Sequence, residues 1–82
     1  MAAGRAKPNP RVLFGHNLRR LRSALGISQE ELGFRANLDR TYVSSVERGH
    51  RNISIDNIFR LASALQCDPR ELLAPEHHAQ TR

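Results

Sequence analysis

Five side chains with hydrogen-bonding chemistry stand close together in this 82-residue sequence: Arg40, Thr41, Ser44, Ser45 and Arg48. At 100° per residue on a helix they fall within an arc of about 140°, with Val43, Val46 and Glu47 on the other side and Tyr42 at the boundary. Guanidinium and hydroxyl groups offer donors and acceptors, and short hydroxyl side chains let a helix sit deep in a nucleic-acid groove. An ordinary solvated helix face would instead mix Glu and Lys in i,i+4 pairs. For an isolated helix the solvated reading is the better one; only the elements that position this helix can reverse it.

Those elements lie in the stretch from Ser28 to Gly49, SQEELGFRANLDRTYVSSVERG, which reads as two short helices joined by a tight turn. Ser28 caps the first, Glu31 completes a capping box, and Ile27 staples against Leu32, which predicts a helix over Gln29 to Ala36. Asn37 tolerates the left-handed conformation and supplies the turn. Asp39 then caps a helix over Arg40 to Arg48. Gly33 lets the two helices cross closely, at about 1 kcal/mol in helix propensity relative to Ala. With Val43 and Val46 pointing inward, this spacing fits a helix-turn-helix.

Around it the chain predicts three more helices. Phe14, Leu18, Leu21 and Leu25 form one core stripe of a first helix that begins at Arg11 or Val12 and ends before Gly26. Arg22 lies off that stripe, within reach of Glu47; the two are either exposed charges or a pair that fixes the tilt of the third helix. Gly49 ends the third helix, and the loop after it carries His50, Arg51 and Asn52. Ser54 caps a fourth helix with Ile55, Ile58, Ala62 and Leu65 on its apolar face, widened by Phe59 and Leu61. Asp68, Pro69 and Glu71 start a short fifth helix closed by Leu72 and Leu73.

The expected organisation is a basic arm without order over residues 1–11, one all-α domain over 12–74, and a flexible tail over 75–82. A domain of this size makes one modest core. The net charge is +5, and residues 1–26 hold Arg5, Lys7, Arg11, Arg19, Arg20 and Arg22 with no acid. That balance suits a polyanion. The arm either follows phosphates or a minor groove or only keeps the chain in solution. The single cysteine, Cys67, has no internal partner and suits a buried apolar role. The four histidines lack metal-ligand spacing, so no metal or cofactor is expected. No apolar run reaches the roughly 20 residues of a membrane span, which predicts a cytoplasmic protein. No nucleophile or metal motif suggests an enzyme.

Five short helices around one core, with the second and third as the helix-turn-helix, resemble the DNA-binding domain of the Cro/C1-type, XRE-like regulators from Val12 to Leu73. LRRLRSALGISQEEL, Glu47-Arg48-Gly49 and LASAL carry the resemblance. More narrowly, NLDRTYVSSVERGHRNISIDNI is similar to restriction-modification controller proteins, small dimeric regulators that bind operators upstream of their own and the endonuclease gene. The resemblance implies a compact, lambda-repressor-like fold and a homodimer on a double-stranded operator. It implies that Arg40, Thr41, Ser44, Ser45 and Arg51 read base edges, and that Gln29, Tyr42, Arg48 and Asn52 contact the DNA backbone. Arg22 and Glu47 match the family's internal ion pair. The chain departs from the pattern at Gly33, where Ala is commoner, and at Asn37, where Gly is commoner. Leu72 and Leu73 are the expected dimer contacts, unless the monomer's own core takes them. A rival reading is an antitoxin or adaptor that uses this fold to bind a protein; an exposed apolar patch on the fourth or fifth helix would favour it.

Overall fold

A computed structural model describes residues 9–75. Its elements are α1 (Pro10–Ala24), α2 (Gln29–Ala36), α3 (Arg40–Glu47), α4 (Ile55–Leu65) and α5 (Pro69–Leu72), with no strand among the described residues. The all-α, five-helix architecture is the one expected. No described helix is long and apolar enough to cross a membrane.

Local side-chain chemistry starts most of these helices. Ser28 Oγ accepts the Glu31 N–H at 3.0 Å and Ser54 Oγ accepts the Asn57 N–H at 3.1 Å. Asp68 accepts the Arg70 N–H at 2.8 Å while Glu71 reaches back to the Asp68 N–H at 3.3 Å, so the capping box of α5 is complete. At α2 only half the box forms, because the Glu31 carboxylate accepts from Arg35 Nε at 2.8 Å, one turn on. Asp39 occupies the N-cap position of α3 but makes no side-chain capping bond. The first helix begins earlier than expected. Asn9 Oδ1 accepts the Arg11 N–H at 2.9 Å and Pro10 takes the first helical position, so Asn9, Pro10 and Arg11 belong to the folded domain. The remainder of the expected arm, and the tail beyond Pro75, lie outside the described residues.

The core draws on every helix: Phe14 and Leu18, Leu32 and Ala36, Val43 and Val46, Ile58, Leu61, Ala62 and Leu65, and Leu72. Each large aliphatic or aromatic member contributes about 1.5–3 kcal/mol by leaving water. Helix α1 packs on α3 and α5, α2 on α3 and α4, and α4 on α5. Three expectations about apolar residues need correction. Leu25 is exposed, because α1 stops at Ala24 and Leu25 is already the C-cap before Gly26 turns the chain at φ +70°. Ile55 and Phe59 are 65% and 57% exposed, so the inward face of α4 is narrower than its sequence suggests. Leu72 is fully buried in the monomer's core and cannot be a dimer contact, whereas Leu73 is 55% exposed.

Backbones approach closely at two glycines. A Cβ on Gly15 would lie 2.6 Å from the carbonyl oxygens of both Val46 and Glu47, so α1 crosses the end of α3 with no room for a side chain. A Cβ on Gly33 would lie 2.5 Å from the Leu38 carbonyl oxygen, and the Leu38 N–H donates to the Gly33 carbonyl at 2.8 Å. Gly33 therefore seats the turn itself. Asn37 adopts the expected left-handed conformation at φ 59°, and Gln66 does the same after α4 at φ 57°. Asn17 is a buried polar residue that sequence reasoning missed. Its Nδ2 donates to the carbonyls of Leu72 at 3.0 Å and Ala74 at 2.9 Å, satisfying acceptors that the end of α5 leaves open. Cys67 is half-buried against the core, and burial pushes its thiol pKa up.

Candidate nucleic-acid interface

Three helices meet at one carboxylate. Arg22 of α1 donates from Nε to Glu47 Oε2 at 2.6 Å and from Nη2 to Oε1 at 3.0 Å, the two-pronged geometry that suits guanidinium and carboxylate. Gln29, the first residue of α2, donates from Nε2 to the same Oε1 at 3.0 Å. Arg22 Nη1 also donates to the Ile27 carbonyl at 2.8 Å, which holds the segment leading into α2. The Glu47 side chain is 4% exposed and that of Arg22 is 15% exposed. The hydrogen bonds that Arg22 donates to Glu47 raise the Arg22 pKa above its ordinary value, against the opposing effect of burial. The pair expected from the sequence is thus present, and it fixes the last turn of α3 against α1 and α2.

With Val43 and Val46 buried beneath it, α3 turns Arg40 and Thr41 outward to solvent and leaves Ser44 half-exposed. Arg48 is exposed at the C-cap, and its Nη1 donates to Ser44 Oγ. Arg51 and Asn52 are exposed in the following loop. Between Arg40 and Asn52 the one acid is Glu47, which faces inward and is neutralised by Arg22. The outward surface of this segment therefore carries Arg40, Arg48 and Arg51 without a compensating carboxylate, although exposed Asp39 flanks it.

Ser45 does not join this face. It is buried, and its Oγ donates to the Thr41 carbonyl at 3.1 Å, one turn back along α3. Its place at the edge of the arc left its side undecided until the neighbouring helices packed. Gln29 is half-buried and turned toward Glu47. Tyr42 is half-buried: its hydroxyl accepts from Asn57 Nδ2 at 3.0 Å, and the Arg51 guanidinium carbon lies 5.2 Å from its ring centroid. Asn57 had no local signal in the sequence, since its partner is 15 residues away.

The sequence model of the helix-turn-helix family matches residues 18–72, which is most of the folded chain. The chain belongs to the Cro/C1-type helix-turn-helix family of DNA-binding regulators. Within that family it is 48% identical over 66 residues to the control protein C.BamHI of Bacillus amyloliquefaciens, covering 79% of this chain and 82% of that protein. The crystal structure of the restriction-modification controller protein C.AhdI from Aeromonas hydrophila matches with a TM-score of 0.74 at 58% identity, over 76% of this chain and 94% of that one. A hypothetical transcription factor from Neisseria matches with a TM-score of 0.79 at 45% identity, over 82% and 75% of the two chains.

The burial of Glu47 gives this helix-turn-helix a measurable dependence on its partner. Arg22→Ala leaves a carboxylate buried without its cation and is expected to lower the unfolding free energy by about 3 kcal/mol, the lower end for breaking a buried pair because Arg22 keeps some exposure. Urea denaturation followed by circular dichroism reads this directly, and Arg22→Lys should fall between the two. A loss below about 0.5 kcal/mol, the level of a surface pair, would mean the carboxylate is solvated.

Proposed function

We propose that the protein is a transcriptional regulator that binds a double-stranded DNA operator of two half-sites as a homodimer, in the cytoplasm. The observation that carries this reading is the outward surface of Arg40, Thr41, Ser44 and Arg48 along and at the end of α3, continued by Arg51 in the following loop, with no acid among them and the other side of the helix locked in the core. Arg40, Thr41, Ser44 and Arg51 read base edges in the major groove, where Arg pairs with guanine through two hydrogen bonds. Arg48, Asn52 and the Tyr42 hydroxyl contact the sugar-phosphate backbone. Gln29 has a second amide hydrogen beyond the one given to Glu47, and at the start of α2 it meets a phosphate with help from the helix N-terminus. The similarity to C.BamHI and C.AhdI, a control protein and a restriction-modification controller, supports a controller role.

One recognition helix covers only a few base pairs, so selectivity comes from two copies on half-sites about 34 Å apart. Ile55 and Phe59, four residues apart on one stripe of α4, and Leu73 after α5 are large apolar side chains left in solvent. This is the apolar patch that marks a protein partner, and because the basic face of α3 lies on a different element we assign it to a second copy of the chain, with Leu73 replacing the buried Leu72 as the α5 contribution. Occupancy of the operator then follows the protein's own concentration.

Arg40→Ala should weaken binding to the cognate duplex by about 1–3 kcal/mol and to random DNA by much less, measured by fluorescence anisotropy. Equal losses on both would reduce Arg40 to a phosphate contact. For the dimer, Phe59→Ser removes an exposed ring without opening the core, so sedimentation velocity should show a shift toward monomer at unchanged helix content. An unshifted dimer would move the interface off α4.

A further inference from the structure

We infer that Asn57, on the first turn of α4, is a positioning residue that sets the Arg51 guanidinium through the ring of Tyr42 and so sharpens base discrimination. The inference rests on the reading of Arg51 as a base contact. Arg51 sits in the loop between α3 and α4, exposed, and a free arginine there would sample many rotamers. Its guanidinium carbon is instead 5.2 Å from the centroid of the Tyr42 ring, inside the roughly 6 Å range of a cation–π contact. That ring is held at its far end, where the Tyr42 hydroxyl oxygen accepts from Asn57 Nδ2 at 3.0 Å. Asn57 is in turn fixed by the cap of α4, through its own N–H bond to Ser54 Oγ at 3.1 Å.

The relay therefore runs from a capped helix start, through an amide and a phenol, to a guanidinium. Its effect is to narrow the directions from which Arg51 approaches a base, so that less rotamer freedom is lost on binding the correct one. Because the Tyr42 oxygen accepts the Asn57 bond, the hydroxyl hydrogen stays available for a phosphate. Asn57 contributes without contacting DNA.

The free protein is measured first by nuclear magnetic resonance. The Arg51 side-chain protons lie near the Tyr42 ring and should be displaced by its ring current; in Asn57→Ala they should return toward ordinary arginine values while the Leu18 and Leu61 methyl signals stay in place. An Arg51 displacement that survives Asn57→Ala overturns the inference, whatever DNA does. Binding is then measured on a duplex selected from a random pool by the unaltered protein and on its single-base variants. Asn57→Ala and Tyr42→Phe should each reduce the preference for the selected duplex over the variants at the base pair Arg51 reads by about two- to fivefold, and should reduce it no further in an Arg51→Ala background. Continued loss in that background would show that Asn57 acts independently of Arg51 and overturn the relay. If Arg51→Ala alone leaves the preference unchanged while the ring-current displacement still depends on Asn57, the base-reading role of Arg51 falls, and with it the effect on discrimination.

Discussion

A carboxylate buried where three helices meet holds the outward face of α3 in its orientation. Glu47 ends α3, and its two oxygens take hydrogen bonds from Arg22 of α1 and Gln29 of α2. A helix of eight residues has little stability of its own, so its direction must come from tertiary contacts. Val43 and Val46 press it into the core but leave it free to roll, because apolar contact is not directional. Charge-assisted hydrogen bonds are directional, and they remove that freedom at the end of the helix. The same arrangement takes the one acid of the segment out of the surface and leaves that surface basic.

The glycines serve the same end. Gly15 lets α1 come against the carbonyls of Val46 and Glu47, so the backbone of α3 is met from behind at the residue whose side chain is clamped from the side. Gly33 and Asn37 set the turn, one by yielding space to the Leu38 carbonyl and the other by adopting a positive φ. Asn17 ties α5 back onto α1 through two carbonyls. The domain is small, and these polar and backbone contacts specify what a modest apolar core alone would leave loosely defined.

What could be read in the sequence was what local chemistry decides. The caps at Ser28, Ser54 and Asp68, the left-handed Asn37 and the opposed faces of α3 all depend on residues within a turn or two of one another. The family resemblance added the Arg22–Glu47 pair, which spans 25 residues and which spacing alone left open. Where competition or packing decided, sequence reading failed. Glu31 had a choice between the Ser28 N–H and Arg35, and the cation won. Ser45 stands about 140° from Arg40, where neighbouring helices determine which side it joins. Leu72 and Leu73 are adjacent and chemically alike, and only the seating of α5 sends one inward and the other out. Asn57 and Asn17 act on partners 15 and at least 55 residues away, beyond any local pattern.

On the proposed reading, this clamped, basic helix face selects a DNA sequence and is not merely attracted to phosphate. The most direct test is the anisotropy of labelled duplexes taken from just upstream of the gene, against shuffled duplexes of the same composition, across a salt series. Tight binding to the native duplex is expected, with a preference over the shuffled one that persists as salt rises, because base contacts do not depend on counterion release. Equal binding to both, falling together and steeply with salt, would contradict it.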